Sequence, residues 1–312
     1  MKKFLTLIVL FLVSGCIGQQ VKPQKSEEYV PPAQALCDVP NKYRKSLLMI
    51  DWTQTSPPDS SLEPVVTKRY LNSLRASLRS NTIQLYTDYQ TGLVGLNRAQ
   101  TDFPSVADQI KAIASRSSVQ YVLHGSIQMN DNAFSTLSDV ANYLDFRVMG
   151  KRDRDIYMAL SIYDGVTGAR LANSTFRLET EVARYYQRNL ADIDSARLED
   201  VMGENIAELI VAQANFVEAT MSCMPLQAQV VRKYRDTLIL DVGSYHGVQV
   251  GDQFKIARRQ DWGNYRQFDS GIQFSEFSLA EITQVGVDSS QAIVLEATIQ
   301  DVNKNDLVVS SY

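Results

Sequence analysis

Histidine and cysteine are scarce in this 312-residue chain, which contains two histidines and three cysteines. Neither His124 nor His246 has a close cysteine partner, and no H-E-x-x-H, G-x-S-x-G, P-loop or S-x-x-K pattern occurs. We therefore expect both histidines to be packed or surface residues and not catalytic bases. The scarcity of ligands also predicts that the chain binds no metal ion and no cofactor. The sequence favours a protein that is not an enzyme.

The chain also lacks an excess of positive charge and, beyond its start, any long apolar run. Its 31 basic and 35 acidic residues give a formal net charge of −4 at pH 7. Nucleic acid is excluded as a partner, because phosphate binding requires concentrated positive charge. With 45% hydrophobic residues and no second long apolar segment, the composition excludes both a disordered chain and a polytopic membrane protein.

The apolar run that is present, Phe4 to Val13, follows two lysines at the start of the chain. A basic start, a short apolar core and small residues before a cleavage point are typical of a secretory signal peptide, here residues 1–15. Val13-Ser14-Gly15-Cys16 resembles a bacterial lipobox. The resemblance implies cleavage before Cys16 and the attachment of acyl chains such as palmitate to that residue. The alternative is an ordinary signal peptide followed by an incidental cysteine.

The residues after Cys16 indicate where such a lipoprotein would lie. Ile17 is not acidic, and the sorting rule for bacterial lipoproteins then implies delivery to the outer membrane. The expected location is the outer membrane, with the folded part facing the periplasm. Gly18 to Leu36 contains Pro23, Pro31 and Pro32 and few apolar side chains, which predicts that residues 16–40 form an extended tether.

Cys37 and Cys223 remain as a pair in an oxidising compartment, where a disulfide is expected. Cys37 lies before the first predicted strand, and Cys223 follows the last long predicted helix. The bond would therefore join the two borders of one domain. The chain-entropy model assigns such a long loop roughly 5 kcal/mol of stabilisation. The alternative is two separate buried thiols.

Hydrophobic periodicity divides the folded part into residues 41–224 and 225–312. The first part begins with Lys45 to Trp52, whose continuous apolar run predicts a strand covered on both faces. Ser105 is expected to cap a helix with Asp108 in its first turn, and the sequence Asp164 to Gly168 predicts a hairpin. The other predicted elements are a helix from about Leu62, strands Ile83 to Tyr89, Val119 to Met129, Ile156 to Tyr163 and Arg170 to Leu178, a surface excursion from Asp131 to Arg154, and one long helix from about Ser195 to Ala219.

In residues 225–312 the helical spacing gives way to short strands at regular intervals, which predicts a small β-barrel. Gly247 and Gly251 bound a turn in which Asp252 is placed to accept hydrogen bonds from turn amides, while Phe254 returns to the core. We interpret Gly247, Gly251 and Asp252 as a structural turn that binds no ligand. The expected strands are Gln227 to Lys233, Thr237 to Asp241, Asp252 to Arg258, Ser278 to Val285, Ser290 to Glu296 and Leu307 to Ser310.

These patterns predict an α+β protein, in which a mixed sheet with helices packed on it precedes the barrel. The helix of small residues that ends at Ser118 and the strand Val119 to Ser126, which ends in Gly-Ser, resemble the N-terminal domain of TolB. The turn from Gly247 to Asp252 resembles that of SH3-like barrels in envelope and secretion proteins. Joined in this order, residues 43–312 are similar to the middle and C-terminal domains of the flagellar assembly protein T family. The N-terminal domain of that family has no counterpart here, and the family is normally soluble in the periplasm.

The resemblance implies a structural or assembly role in the outer ring of a flagellar basal body, carried out through protein–protein contacts. The expected partners are the outer membrane, through the lipid anchor, flagellar ring proteins or other envelope proteins, and further copies of the chain. A TolB-like fold is also used by lipoprotein activators of penicillin-binding proteins. The alternative function is therefore an envelope lipoprotein that regulates a cell-wall synthase or a secretion machine.

Overall fold

Strand β1 (Lys45–Ile50) is the inner strand of a mixed sheet, and all six of its residues are buried. It pairs in parallel with β3 (Ile83–Asp88) on one side and with β4 (Tyr121–Asp131) on the other. The sequence prediction of a strand covered on both faces is therefore confirmed. The computed structural model describes residues 42–50, 53–54, 63–88, 91, 93, 105–131, 151–183, 198–235, 237–261, 272–295, 302–304 and 306–310.

Beyond β4 the sheet continues as an antiparallel ladder formed by β5 (Lys151–Asp164) and β6 (Arg170–Ala183). The strand order is β3-β1-β4-β5-β6, and the short β2 (Thr53–Gln54) pairs in parallel with β4. In the β5–β6 turn, Asp164 Oδ1 accepts hydrogen bonds from the amides of Val166 at 2.9 Å and Thr167 at 2.7 Å. The predicted hairpin is confirmed.

The predicted surface excursion from Asp131 to Arg154 is wrong at both ends. Asp131 is the last residue of β4, and it pairs with Arg154, which lies near the start of β5. Lys151 to Asp153 enter β5 because β6 pairs with their backbone groups, and Arg154 is paired on both sides, by β4 and by β6. Residues 132–150 lie outside the described residues.

The helices lie on both faces of this sheet and are α1 (Glu63–Ser77), α2 (Val106–Ser117), α3 (Leu198–Met202) and α4 (Ile206–Cys223). Helices α1, α3 and α4 share one core with Leu47 and Met49 of β1. Helix α2 forms a second core with Leu48 and Ile50 on the opposite face. Alternating side chains of one strand therefore supply both cores.

Two predictions about the helices have different outcomes. Ser105 caps α2 by accepting a hydrogen bond from the Asp108 amide at 3.1 Å, as predicted. The single long helix from Ser195 to Ala219 is wrong, because Gly203 separates α3 from α4. Gly203 has a φ of 94°, a backbone conformation that interrupts a helix and is easily adopted by glycine alone.

The second sheet is a closed barrel. Its core contains Phe254, Leu238, Leu240 and Ile282, together with Tyr43 from the segment before β1. The barrel confirms the α+β fold class with a small barrel. Residues 32–312 belong to one compact unit, and the domain border at residue 225 stays a prediction. The strands of the barrel are β7 (Gln227–Tyr234), β8 (Thr237–Leu240), β9 (Gln253–Asp261), β10 (Ile272–Val285), β11 (Ser290–Val294) and β12 (Leu307–Ser310). Their order around the barrel is β10-β11-β8-β7-β12-β9.

Among the helices in the described part of the chain, none is both long enough and apolar enough to cross a membrane.

Candidate functional site at the junction of sheet and barrel

The two histidines lie in different elements. His124 is buried in β4, where loss of solvation lowers its pKa to about 4. His246 lies in a short 3-10 turn and accepts a hydrogen bond at Nδ1 from the Gly243 amide at 3.3 Å. Burial is the main cause that lowers the pKa of His246. Both imidazoles are therefore mainly neutral at pH 7, and among the described residues no three His, Cys, Asp or Glu side chains are grouped to hold a metal ion.

The turn from Gly247 to Asp252 has the backbone conformation that its glycines allow. Gly247 has a φ of 80° and Gly251 a φ of 88°, both in the left-handed region. Asp252 Oδ2 accepts a hydrogen bond from the Gln249 amide at 2.8 Å, which closes the turn. Phe254 follows in β9 and is completely buried. The geometry leaves the other carboxylate oxygen, Oδ1, directed away from the turn amide.

Asp252 Oδ1 is occupied by the segment Lys42–Arg44, which lies on the turn. Lys42 Nζ is 2.7 Å from this oxygen. The Tyr43 ring packs against Phe254 with 5.7 Å between centroids, and the Arg44 amide donates a hydrogen bond to the carbonyl of His246 at 3.0 Å. Burial, followed by a side-chain hydrogen bond to Asp252, raises the pKa of Tyr43. The chain is thus attached to the barrel immediately before it enters β1.

The sequence pattern does not predict this contact, because it indicates only a structural turn of the barrel. Tyr43 stands between Lys42 and Arg44 in a polar stretch, so no periodicity marks it as a core residue. The available signal was an aromatic residue directly before a buried strand. A residue at this position packs either on the first sheet or on a neighbouring element, and the sequence does not distinguish the two.

A second set of contacts joins the start of β7 to the sheet. Gln120 Nε2 donates to the carbonyl of Gln227 at 2.6 Å, and the Tyr121 hydroxyl donates to the carbonyl of Pro225 at 2.6 Å. Gln227 Nε2 donates in turn to Asp164 Oδ2 in the hairpin turn. Gln227 and Asp164 are each 7% exposed, so this polar contact is shielded from water. It holds the barrel to β4 and to the β5–β6 turn.

Lys45 connects the start of β1 to the end of α4. Its side chain is fully buried, and Nζ donates to the carbonyl of Met221 at 3.0 Å. The carbonyls of a last helical turn carry partial negative charge and favour a nearby cation. Burial nevertheless lowers the pKa of Lys45 to about 8. We call these three sets of contacts the junction. They are made by residues 42–45, 120–121 and 227 with their partners in the barrel turn, in the β5–β6 turn and at the end of α4.

Of the residues singled out in the sequence, Gly247, Gly251 and Asp252 therefore lie at the junction. Cys223 is buried in the last turn of α4, two residues after the carbonyl that Lys45 contacts. Cys16 and Cys37 lie outside the described residues, so the lipid attachment and the Cys37–Cys223 bond stay predictions.

The polar groups of the junction bond to other groups of the same chain. Its carboxylates Asp164 and Asp252 are each occupied by hydrogen-bond donors of the chain itself. Both sides of the junction are therefore built to fix the barrel relative to the sheet.

Comparison with known proteins gives no family for the chain. No family model matches it, and no curated protein matches it. The resemblance to the flagellar assembly protein T family therefore stays a prediction.

The solved structures that match part of the chain are distant from it in sequence. A PelC dodecamer from Paraburkholderia phytofirmans is 14% identical, with 54% of this chain and 86% of that chain covered and a TM-score of 0.30. Lipoprotein GNA1162 from Neisseria meningitidis is 14% identical, with 55% and 99% covered and a TM-score of 0.30. The C-terminal domain of LpoB from Salmonella enterica is 13% identical, with 44% and 84% covered and a TM-score of 0.25. At these values none of them assigns an activity or a partner to this chain.

Proposed function

We propose that the chain is a lipid-anchored protein of the outer membrane, with its folded part facing the periplasm. It has a structural or assembly role in the outer ring of a flagellar basal body and acts through protein–protein contacts, not as an enzyme. The lipobox Val13 to Cys16 supports the anchor, and the order of the α/β part and the barrel supports the ring role.

The observation that carries the proposal is the docking of Lys42–Arg44 on the barrel turn. These residues directly follow the predicted tether, residues 16–40, and they contact Asp252 and His246 of the barrel before the chain enters β1. A pull on the tether is therefore transmitted to the barrel and the sheet together. Such a coupled attachment suits a scaffold that must hold its position under load.

The first test is deletion of the gene in the source bacterium. The expected result is loss of swimming in soft agar, with outer rings missing from purified basal bodies in electron micrographs. Normal swimming with altered cell-wall synthesis or antibiotic sensitivity would instead support the alternative, in which the protein regulates a cell-wall synthase or a secretion machine.

The second test separates the anchor from the ring. Complementation with Cys16→Ser is expected to give a protein that leaves the membrane fraction and fails to restore swimming. The matched control is Ser14→Ala, which keeps a small residue in the lipobox and should restore it. The lipid anchor is wrong if Cys16→Ser stays in the membrane fraction and the wild-type protein incorporates no labelled palmitate.

A further inference from the structure

Exposed side chains beside the junction form a patch that no described contact covers. Tyr86 is 43% exposed, Tyr245 is 42% exposed and Val287 is 66% exposed. The guanidinium of Arg44 lies 5.0 Å from the centroid of the Tyr245 ring, and the Tyr245 amide donates to the carbonyl of Val287 at 3.0 Å. We call Arg44, Tyr86, Tyr245, Val287 and the adjacent Asp288 the edge patch.

Arg44 lies between β3 and the barrel, because its neighbour Lys45 pairs with Ile83 of β3 while the Arg44 guanidinium lies over the Tyr245 ring. Tyr86 of β3 is close enough to these groups to be affected by them. Burial raises the pKa of Tyr86, and the nearby Tyr245 and Asp288 raise it further while Arg44 opposes them. The patch therefore spans both folded parts. Tyrosine and arginine are also the residue types that dominate binding energy in protein interfaces.

Strand β3, which carries Tyr86, forms an edge of the sheet. It pairs with β1 on one side, and the part of the chain that the structure describes contains no strand on its other side. Its sequence, IQLYTD, contains no lysine, arginine or proline, and its pairing with β1 has no bulge. Natural edge strands are usually protected by such devices. The one charged residue of β3, Asp88, is its last residue, so the stretch before it, Ile83 to Thr87, is suited to pairing with another strand.

The edge patch contains one positive residue, Arg44, and one negative residue, Asp288. Neither Arg44 nor Asp288 forms an ion pair with a described residue, and Arg44 Nε is buried without a hydrogen-bond partner there. A patch with one cation and one anion, neither of them in an ion pair with a described residue, matches a rotated copy of itself, as a twofold interface requires. A partner of a single charge sign would leave one of the two groups opposed.

We propose that a second copy of this chain docks on the edge patch around a twofold axis. The two β3 strands then run antiparallel side by side, and Arg44 of each copy faces Asp288 of the other. This inference concerns self-association alone, so it stands or falls separately from the flagellar role.

The test is sedimentation equilibrium of the full chain in density-matched detergent, over a wide range of protein concentration. The variants are Arg44→Asp, Asp288→Arg, an equimolar mixture of the two, and Tyr86→Lys. The matched control is Lys68→Glu, which reverses a charge on the exposed face of α1. The backbone bond from Arg44 to His246 does not involve the side chain and is kept in Arg44→Asp.

The wild type and Lys68→Glu are expected to associate equally. Each single reversal should weaken association at least about tenfold, because two pairs of like charges then face each other across the axis. The mixture should recover wild-type association, since each variant supplies the charge that the other lacks. Tyr86→Lys should also weaken it, because lysine protects strand edges.

A wild type that stays monomeric at every concentration overturns the proposal. Association that none of the variants weakens places the interface elsewhere and also overturns it. A mixture that remains as weak as the single variants overturns the pairing of Arg44 with Asp288. Retained circular dichroism in each variant separates these outcomes from a loss of folding.

Discussion

Lys42 Nζ lies 2.7 Å from Oδ1 of Asp252, so the residues before the first strand are joined to a turn 210 positions later in the chain. Asp252 also receives the Gln249 amide and the Tyr43 hydroxyl. One carboxylate therefore closes the barrel turn and holds the segment that leads into the sheet.

Replacing Asp252 should cost far more stability than replacing Lys42. Asp252→Ala removes the acceptor for the Gln249 amide and for the hydroxyl of Tyr43, a buried residue, and an unsatisfied buried donor costs about 1–3 kcal/mol. Lys42→Ala removes only a half-exposed ion pair, for which about 0–1 kcal/mol is expected. Urea unfolding at equilibrium measures both changes. Equal losses for the two variants would show that the ion pair, and not the turn, fixes the segment.

Gly251 tests the backbone conformation of the same turn without a steric term, because a Cβ added there meets nothing within 4 Å. Its φ of 88° is unfavourable for residues with a side chain. Gly251→Ala should therefore lower the free energy of unfolding by about 1–2 kcal/mol. Gly251→Asn is the matched control and should lose less, because asparagine tolerates the left-handed region. An alanine variant as stable as the wild type would contradict the conformational role of this glycine.

The local elements were predictable, because each of them is encoded by neighbouring residues. The apolar run from Leu47 to Ile50 indicated a buried strand, and the spacing of Ser105 and Asp108 indicated a capped helix. The break at Gly203 was missed, since apolar side chains continue at helical spacing through it.

The junction could not be predicted in the same way. Tyr43 and Asp252, or Gln120 and Gln227, are far apart in sequence, and a single sequence carries no record of which distant residues meet. Gln227 has a polar side chain, which predicts an exposed strand position. It is nevertheless buried, because its side-chain amide donates a hydrogen bond to Asp164. The exposure of Tyr86 depends likewise on the position of β3 at the sheet edge, which periodicity does not determine.

His124 should make the protein less stable in mild acid. The unfolded histidine has an ordinary pKa of 6.5, whereas burial lowers the folded value to about 4. Between these values the unfolded chain binds a proton that the folded chain does not, so stability falls as the pH falls from about 6.5 towards 4. The loss attributable to this group is up to about 3 kcal/mol. Unfolding of His124→Gln over the same range should show a flatter dependence, and parallel curves would contradict this role.

Lys45 should make the free energy of unfolding depend on pH in the alkaline range. Its folded pKa is about 8 and its ordinary value is 10.5, so between them the unfolded chain holds a proton that the folded chain has lost. Stability attributable to Lys45 then rises with pH, by at most about 1.4 kcal/mol per pH unit. The useful window is from about pH 8 to pH 10, because buried Tyr43, whose pKa is raised, begins to oppose the rise near its ordinary value of 10. In Lys45→Met the rise should be absent, and a variant that keeps it would assign the effect to another group.

The predicted bond between Cys37 and Cys223 leads to a thiol count that distinguishes it from two separate cysteines. With Cys16 acylated, the denatured wild type should contain no titratable thiol, and Cys37→Ser and Cys223→Ser should each expose one. Both single variants should lose the same stability, up to roughly 5 kcal/mol for so long a loop, because either removes the whole cross-link. The double variant should lose no more than either single one. Two titratable thiols in the wild type would show that the bond does not form. Additive losses in the double variant would show that the two cysteines act independently.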